Sequence, residues 1–175
     1  MDNKIISNLI NFVNKLPNIG SRSATEIVIN MIQNQDKISD LIKLLEDLRD
    51  NIKKCQRCGN FDTQDICNIC NTRQNAKQLC VVINIRDLMN IERSDAFNGL
   101  YFVLGGCLST MNSFLPKDLC LEKLFAIIQN NNIDEIIFAL GSTTETQTTY
   151  FYVLTELEDF IKSHGLSIQI SSLGF

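Results

Sequence analysis

The sequence has no tryptophan, two prolines and a single histidine, and it carries no excess of positive charge, its formal net charge being −4. One histidine leaves little room for nucleophilic catalysis. His164 stands beside Gly165 at an expected helix end, where a cation is a routine choice, and no Ser, His and Asp fall into a nucleophilic arrangement. No apolar run reaches membrane-spanning length. The opening MDNKIISNLINFVNK breaks its apolar residues with Asn and charge, so it offers no unbroken core for a signal peptide. Repeats and low-complexity linkers are also lacking. These absences point to a protein of the cytoplasm with no membrane association.

What is present suits a folded chain. Hydrophobic residues make up 45% and charged ones 21%, a balance that disordered chains lack. The 175 residues suffice for one core or for two small units. Seven cysteines fit a reducing compartment, where thiols are free to bind metal. Charge is uneven along the chain: residues 1–79 carry 11 Lys and Arg against 9 Asp and Glu, whereas 80–175 carry 5 against 11. A polyanion would therefore meet the first half.

Ile5, Ile6, Leu9, Ile10, Val13 and Leu16 recur at helical spacing and predict a first helix ending near Pro17. A second helix is expected from about Ser21 to Asn34. A third places Ile38, Leu41, Ile42, Leu45, Leu48 and Ile52 on one face. Beyond residue 78 the period changes. LCVVI (79–83), YFVL (101–104), EIIFAL (135–140) and SIQI (167–170) read as buried strands, with helices over Leu119–Gln129 and Thr148–Lys162 between the later ones. Alternating strands and helices predict an α/β layer with a mostly parallel sheet. The polar stretch 71–78 separates the halves.

Cys55-Gln-Arg-Cys58 and Cys67-Asn-Ile-Cys70 are two knuckles with zinc-ligand spacing. Each turns two sulfurs toward one ion, and the link between them is short enough for both to share it. Gly59 follows the first knuckle, where positive φ helps the backbone wrap the sulfurs. The competing reading of CxxC is a redox dithiol, which is hard to maintain for two pairs this close. Four thiolates close the coordination sphere, so the expectation is one structural Zn²⁺ held by Cys55, Cys58, Cys67 and Cys70. Cys80 reads as a small core residue; Cys107 and Cys120 receive no role.

Between the first two helices stands LPNIGSRSA (16–24). Gly20 permits a tight turn and Ser21 can cap the next helix. Backbone N–H groups there can donate to a phosphate oxygen without reading a base, with Arg22 adding charge. Gly20, Ser21 and Arg22 are thus candidate DNA contacts. The same segment also reads as an ordinary helix-loop-helix corner. Glu26 opposes phosphate binding, while Asn18 tolerates the left-handed region.

Taken in order, a hairpin with LPxxG, CxxC-x8-CxxC, LCVV (79–82) and YFVLGG (101–106) resembles the RecR family of bacterial recombination mediators over essentially the whole chain. The resemblance implies an α+β protein: a helical domain with a helix-hairpin-helix element (1–53), a C4 zinc finger (54–72), and an α/β, Rossmann-like Toprim domain (78–173). Catalytic Toprim proteins hold Mg²⁺ with a Glu after the first strand and an acidic pair after a later one. Here those positions carry Ile83, Glu145 and Gln147, so one acid of the set remains. One carboxylate holds Mg²⁺ poorly, and the chain is expected not to be an enzyme.

The resemblance further implies a DNA-repair mediator. It would bind gapped or single-strand/double-strand junction DNA and act with RecO and RecF partners to load a recombinase in the RecBC-independent pathway. Family members form homo-oligomeric rings closed by a C-terminal tail, and this sequence stops at Leu173-Gly174-Phe175, which puts ring assembly in question. Two other readings stay open: a Mg²⁺-dependent Toprim enzyme, and a degenerate paralogue that binds only protein.

Overall fold

A computed structural model describes residues 3–109, 111 and 113–173. The chain divides into two units, Met1–Asn51 and Ile52–Phe175. In the first, helix α1 (Lys4–Val13) and helix α2 (Ser21–Gln33) pack through Val13, Ala24 and Val28, with Ile6, Ile10, Ile19 and Ile27 around them. Asn3 caps α1 by accepting the Ile5 N–H. The helix ends at Val13, with Asn14 as its C-cap still in the α region at φ −65° and ψ −18°, three residues before Pro17.

Two expectations about the hairpin are corrected. Ser21 does not cap α2: the cap position belongs to Gly20, and no side chain there accepts a hydrogen bond. Gly20 itself is extended, at φ −85° and ψ 168°, which any residue can adopt. The left-handed step falls on Asn18 instead, at φ 62°, one of the few side chains that tolerate it.

Helix α3 (Gln35–Asn51) follows after Asn34. It buries none of its residues. Leu41, Ile42, Leu44, Leu45 and Leu48 are all exposed among the described residues, along the apolar face expected from the spacing.

The second unit opens with a short antiparallel pair, β1 (Lys53–Lys54) and β2 (Phe61–Asp62), followed by helix α4 (Asn68–Thr72). A parallel four-stranded sheet comes next. Its strands are β3 (Gln78–Val82), β4 (Leu100–Val103), β5 (Glu135–Ala139) and β6 (Gln169–Ser172), in the order β4-β3-β5-β6. All three pairings are parallel, as strands separated by helical crossovers require.

Helix α5 (Ile85–Arg93) packs on one face, where Leu88 joins Cys80, Val82, Tyr101 and Val103. Helices α6 (Leu121–Asn131) and α7 (Thr144–Ser163) cover the other. There Leu124, Ile128, Val153 and Leu157 meet Leu79, Val81, Ile136 and Phe138. The sheet is therefore buried on both sides, which is why its strands read as continuous apolar runs.

Several boundaries move from their sequence positions. α6 starts at Leu121 because Pro116–Leu119 forms a tighter 3-10 turn and Cys120 turns left-handed at φ 50°. α7 starts four residues early, since Thr143 caps it by accepting the Thr146 N–H. β6 begins at Gln169, two residues into the expected run, where it pairs with Glu135 of β5. Among the described residues no helix is long and apolar enough to cross a membrane.

Candidate metal centre and sheet crevice

The two knuckles converge. The Sγ atoms of Cys55, Cys58, Cys67 and Cys70 all lie within 4.8 Å of one another, and all four residues are buried. A tetrahedral ion with Zn–S bonds of about 2.3 Å places its sulfurs about 3.8 Å apart, so the donor set fits. The Cys58 and Cys67 sulfurs approach to 3.5 Å. That contact is the largest influence on both thiols, holding Cys67 low and pushing Cys58 up. A bound Zn²⁺ would take all four sulfurs as thiolates, releasing their protons.

Gly59 stands at φ +80° and returns its N–H to the Cys55 carbonyl at 3.1 Å. Its freedom from a Cβ is used here: an added Cβ would come within 3.1 Å of the Val103 carbonyl oxygen. Cys55 N–H donates to the Asn60 carbonyl at 2.6 Å and Cys67 N–H to the Cys55 sulfur at 3.3 Å, so backbone amides orient the ligands of the cluster.

Spacing alone does not disclose the residues around the cysteines. Asp62 accepts the N–H groups of Thr63 at 2.7 Å and Asn68 at 2.9 Å. These bonds, Asn68 first, hold its carboxyl below the ordinary range. Arg57, inside the first knuckle, donates to the Cys70 carbonyl at 3.4 Å and to Asn131 Oδ1 at 3.3 Å. Arg73, just after α4, forms two hydrogen bonds of 2.8 Å with the Glu92 carboxylate and one of 3.0 Å to the Gly99 carbonyl. A charged residue within or just after a knuckle is the available signal. Its partners lie tens of residues away.

The second candidate region is the C-terminal end of the sheet. The chain leaves β3 toward β4 on one side and pairs β3 with β5 on the other, so the strand order reverses between β3 and β5, where parallel sheets place ligands. A cavity of about 300 Å³ opens there, lined by Asp87, Asn90, Ile91, Ala139, Leu140, Gly141 and Leu173. Ile83, after β3, is buried and apolar. Glu145 and Gln147 lie in the first turn of α7, exposed.

Asp87 supplies a carboxylate nearby, yet it closes a capping box with Asn84: Asn84 N–H donates to Asp87 Oδ2 at 3.3 Å and Asp87 N–H to Asn84 Oδ1 at 3.2 Å. Among the described residues the four cysteines are the one set of three or more metal-ligating side chains with converging donors. Burial, then Glu145, pushes the Cys107 thiol up. Burial alone raises Cys80, to about 12, in keeping with its place in the core.

Two family descriptions match the sequence of these segments. The four-cysteine zinc finger domain of RecR covers residues 52–71 and the Toprim domain residues 77–170. Recombination protein RecR of Erythrobacter litoralis is 36% identical over 175 residues, covering 96% of this chain and 88% of that protein. The chain belongs to the RecR family. Recombination protein RecR of Rhizorhabdus wittichii is 38% identical with the same coverage, and that of Rickettsia bellii is 39% identical over 160 residues, spanning 90% of this chain and 80% of its own. As a RecR-family zinc finger, the four-cysteine cluster holds one structural Zn²⁺.

The hairpin residues of this RecR-family chain lie in the first unit. Arg22 stands in the first turn of α2 with its side chain 93% exposed, paired with Glu26 at 3.2 Å. Gly20 and Ser21 precede it at the same helix start.

Proposed function

We propose that the chain is a non-enzymatic recombination mediator that binds gapped or junction DNA and acts in the cytoplasm with RecO- and RecF-type partners to load a recombinase. What supports this reading is the contrast within the second unit. The zinc site has all four ligands converged, whereas buried Ile83 after β3 and Gln147 in the first turn of α7 stand at positions where a Mg²⁺-dependent Toprim enzyme is expected to carry carboxylates. A single exposed Glu145 cannot bridge two hard cations or neutralise a phosphoryl transition state.

In this reading residues 1–53 face DNA, 54–72 form the zinc finger and 78–173 the Toprim module. The start of α2 offers N–H groups at Gly20, Ser21 and Arg22 with no side-chain cap competing for them, which suits a phosphate oxygen. The exposed apolar residues of α3 favour assembly with further copies of the chain.

The test is binding of a labelled gapped duplex at low salt, with Mg²⁺ present and product analysis on the same samples. Bound, uncleaved DNA is the expected result. Mg²⁺-dependent cleavage abolished by Glu145→Ala would establish an enzyme instead. The Arg22–Glu26 ion pair, which diverts the hairpin's charge, favours a second reading as a protein-binding module. Absence of DNA affinity in a zinc-loaded protein that still captures a RecO-type partner would select it.

A further inference from the structure

The segment that carries the zinc ligands is basic in an otherwise acidic unit. Residues 52–79 hold 5 Lys and Arg against 2 Asp and Glu, whereas 80–175 hold 5 against 11. Two of the cations in 52–79 are paired with carboxylates, Lys53 with Asp65 and Arg73 with Glu92. Arg57 and Lys77 have no carboxylate partner among the described residues. Both reach the C-terminal end of α6 instead, where Arg57 donates to Asn131 Oδ1 and Lys77 Nζ to the Asn132 carbonyl at 3.1 Å.

A cleft of about 110 Å³ lies between the first knuckle and α6, lined by Gln56 and Arg57 on one side and by Lys123, Ala126, Ile127 and Asn130 on the other. The α6 residues stand at i, i+3, i+4 and i+7, so they form one face of that helix. Lys123 brings a second cation without a carboxylate partner among the described residues, and Glu122, its neighbour, does not line the cleft. Arg57 is half-buried. Its bonds to the Cys70 carbonyl and to Asn131, at 3.4 and 3.3 Å, go to neutral oxygens and leave other N–H groups of the guanidinium unused. The volume falls below the about 300–1,000 Å³ of pockets that enclose whole small molecules, so the fit is to a single anionic group presented from outside. Two cations and two side-chain amides supply donors for several oxygens at once, which a phosphate offers. The positive excess along the whole segment favours a polyanion over one acidic side chain.

We propose that this cleft is a phosphate site for the nucleic-acid backbone, with Arg57 and Lys123 as its cations, so that the zinc-finger unit adds a DNA contact to the one at the start of α2. The inference rests on the mediator reading and deepens it by assigning a second contact to the same ligand. The contact is to the backbone and reads no base. The metal acts indirectly, since folding of the knuckle sets where Arg57 stands.

The test uses the full zinc-loaded chain, its metal content measured, binding a labelled gapped duplex across a salt series. Lys123 is the residue to change, because it is exposed and stands on α6, outside the knuckle. Lys123→Gln should lower the slope of log affinity against log salt by about 1, and Lys123→Arg should keep the parent slope. Lys117 is an exposed cation of the same unit that does not line the cleft, and Lys117→Gln should leave the slope as it is. With inorganic phosphate as the probe, the side-chain amide signals of Gln56 and Asn130 should shift in the parent chain and stay fixed in Lys123→Gln.

DNA bound with a slope that Lys123→Gln does not alter would overturn the site and leave the mediator reading standing. An equal drop for Lys117→Gln would overturn it too, since that is the mark of a general field rather than a contact. Amide shifts with phosphate but an unaltered slope would mean a free-anion pocket only, against the nucleic-acid assignment. Absence of DNA affinity in the parent chain would instead bring down the mediator reading, and this contact with it.

Discussion

Arg73 and Glu92 show how much a single pair can organise. The two side chains are about three-quarters buried, bonded twice at 2.8 Å, and close the start of β4 through Gly99. Burial alone would raise the Glu92 carboxyl, but the twice-bonded Arg73 guanidinium outweighs it and holds the value below the ordinary one. A depressed carboxyl contributes stability that is present above its unfolded value and lost as pH falls through the folded one. Denaturant midpoints should therefore decline as pH drops through and below about 4.3, and Glu92→Gln should flatten that decline. At neutral pH the same substitution should cost about 2 kcal/mol, because it leaves the Arg73 charge unpaired.

The cysteines give the second prediction at this scale. Cys67→Ser replaces a thiolate with a hydroxyl that binds Zn²⁺ weakly. Metal analysis should show well under one equivalent of zinc, and thermal unfolding should move down, since metal affinity in a closed site is folding energy. Cys107→Ser, outside the cluster, should leave the zinc content unchanged.

At the scale of elements, helix starts are the part most poorly legible. α5 spans only nine residues and buries only Leu88; Ile85, Leu88 and Met89 follow helical spacing, but over little more than one turn. Its start is set by the Asn84–Asp87 box, a local feature readable in hindsight. Asn84→Ala should destabilise the second unit by about 1 kcal/mol, measurable by chemical denaturation, without loss of zinc. Ser21 is a reasonable cap candidate by residue type. Whether it caps depends on which residue takes the extended conformation, and that is Gly20.

The strands are legible because a parallel sheet covered on both faces demands apolar runs. β6 is the exception: it is the other edge and carries Gln169, Ser171 and Ser172, so its register comes from pairing with β5 rather than from hydrophobicity.

At the scale of the whole molecule, the proposed DNA contact predicts a salt signature. Phosphate binding through Arg22 should weaken linearly in log–log salt plots, and Arg22→Ala should reduce the slope by about 1 without changing sequence preference. Glu26→Gln should strengthen binding, as it frees the guanidinium from its 3.2 Å partner. A slope unaffected by either change would move the contact elsewhere on the chain.

The sequence alone determined the four zinc ligands and the alternation of strands and helices. A knuckle is built within a few residues, and strand burial writes itself into composition. The tertiary structure decided what the zinc site touches. Arg57 meets Asn131 across 74 positions and Arg73 meets Glu92 across 19, while the Cys58 carbonyl closes the outer edge of β4. Such contacts depend on strand order and on which backbone groups face outward, and neither leaves a mark in local spacing.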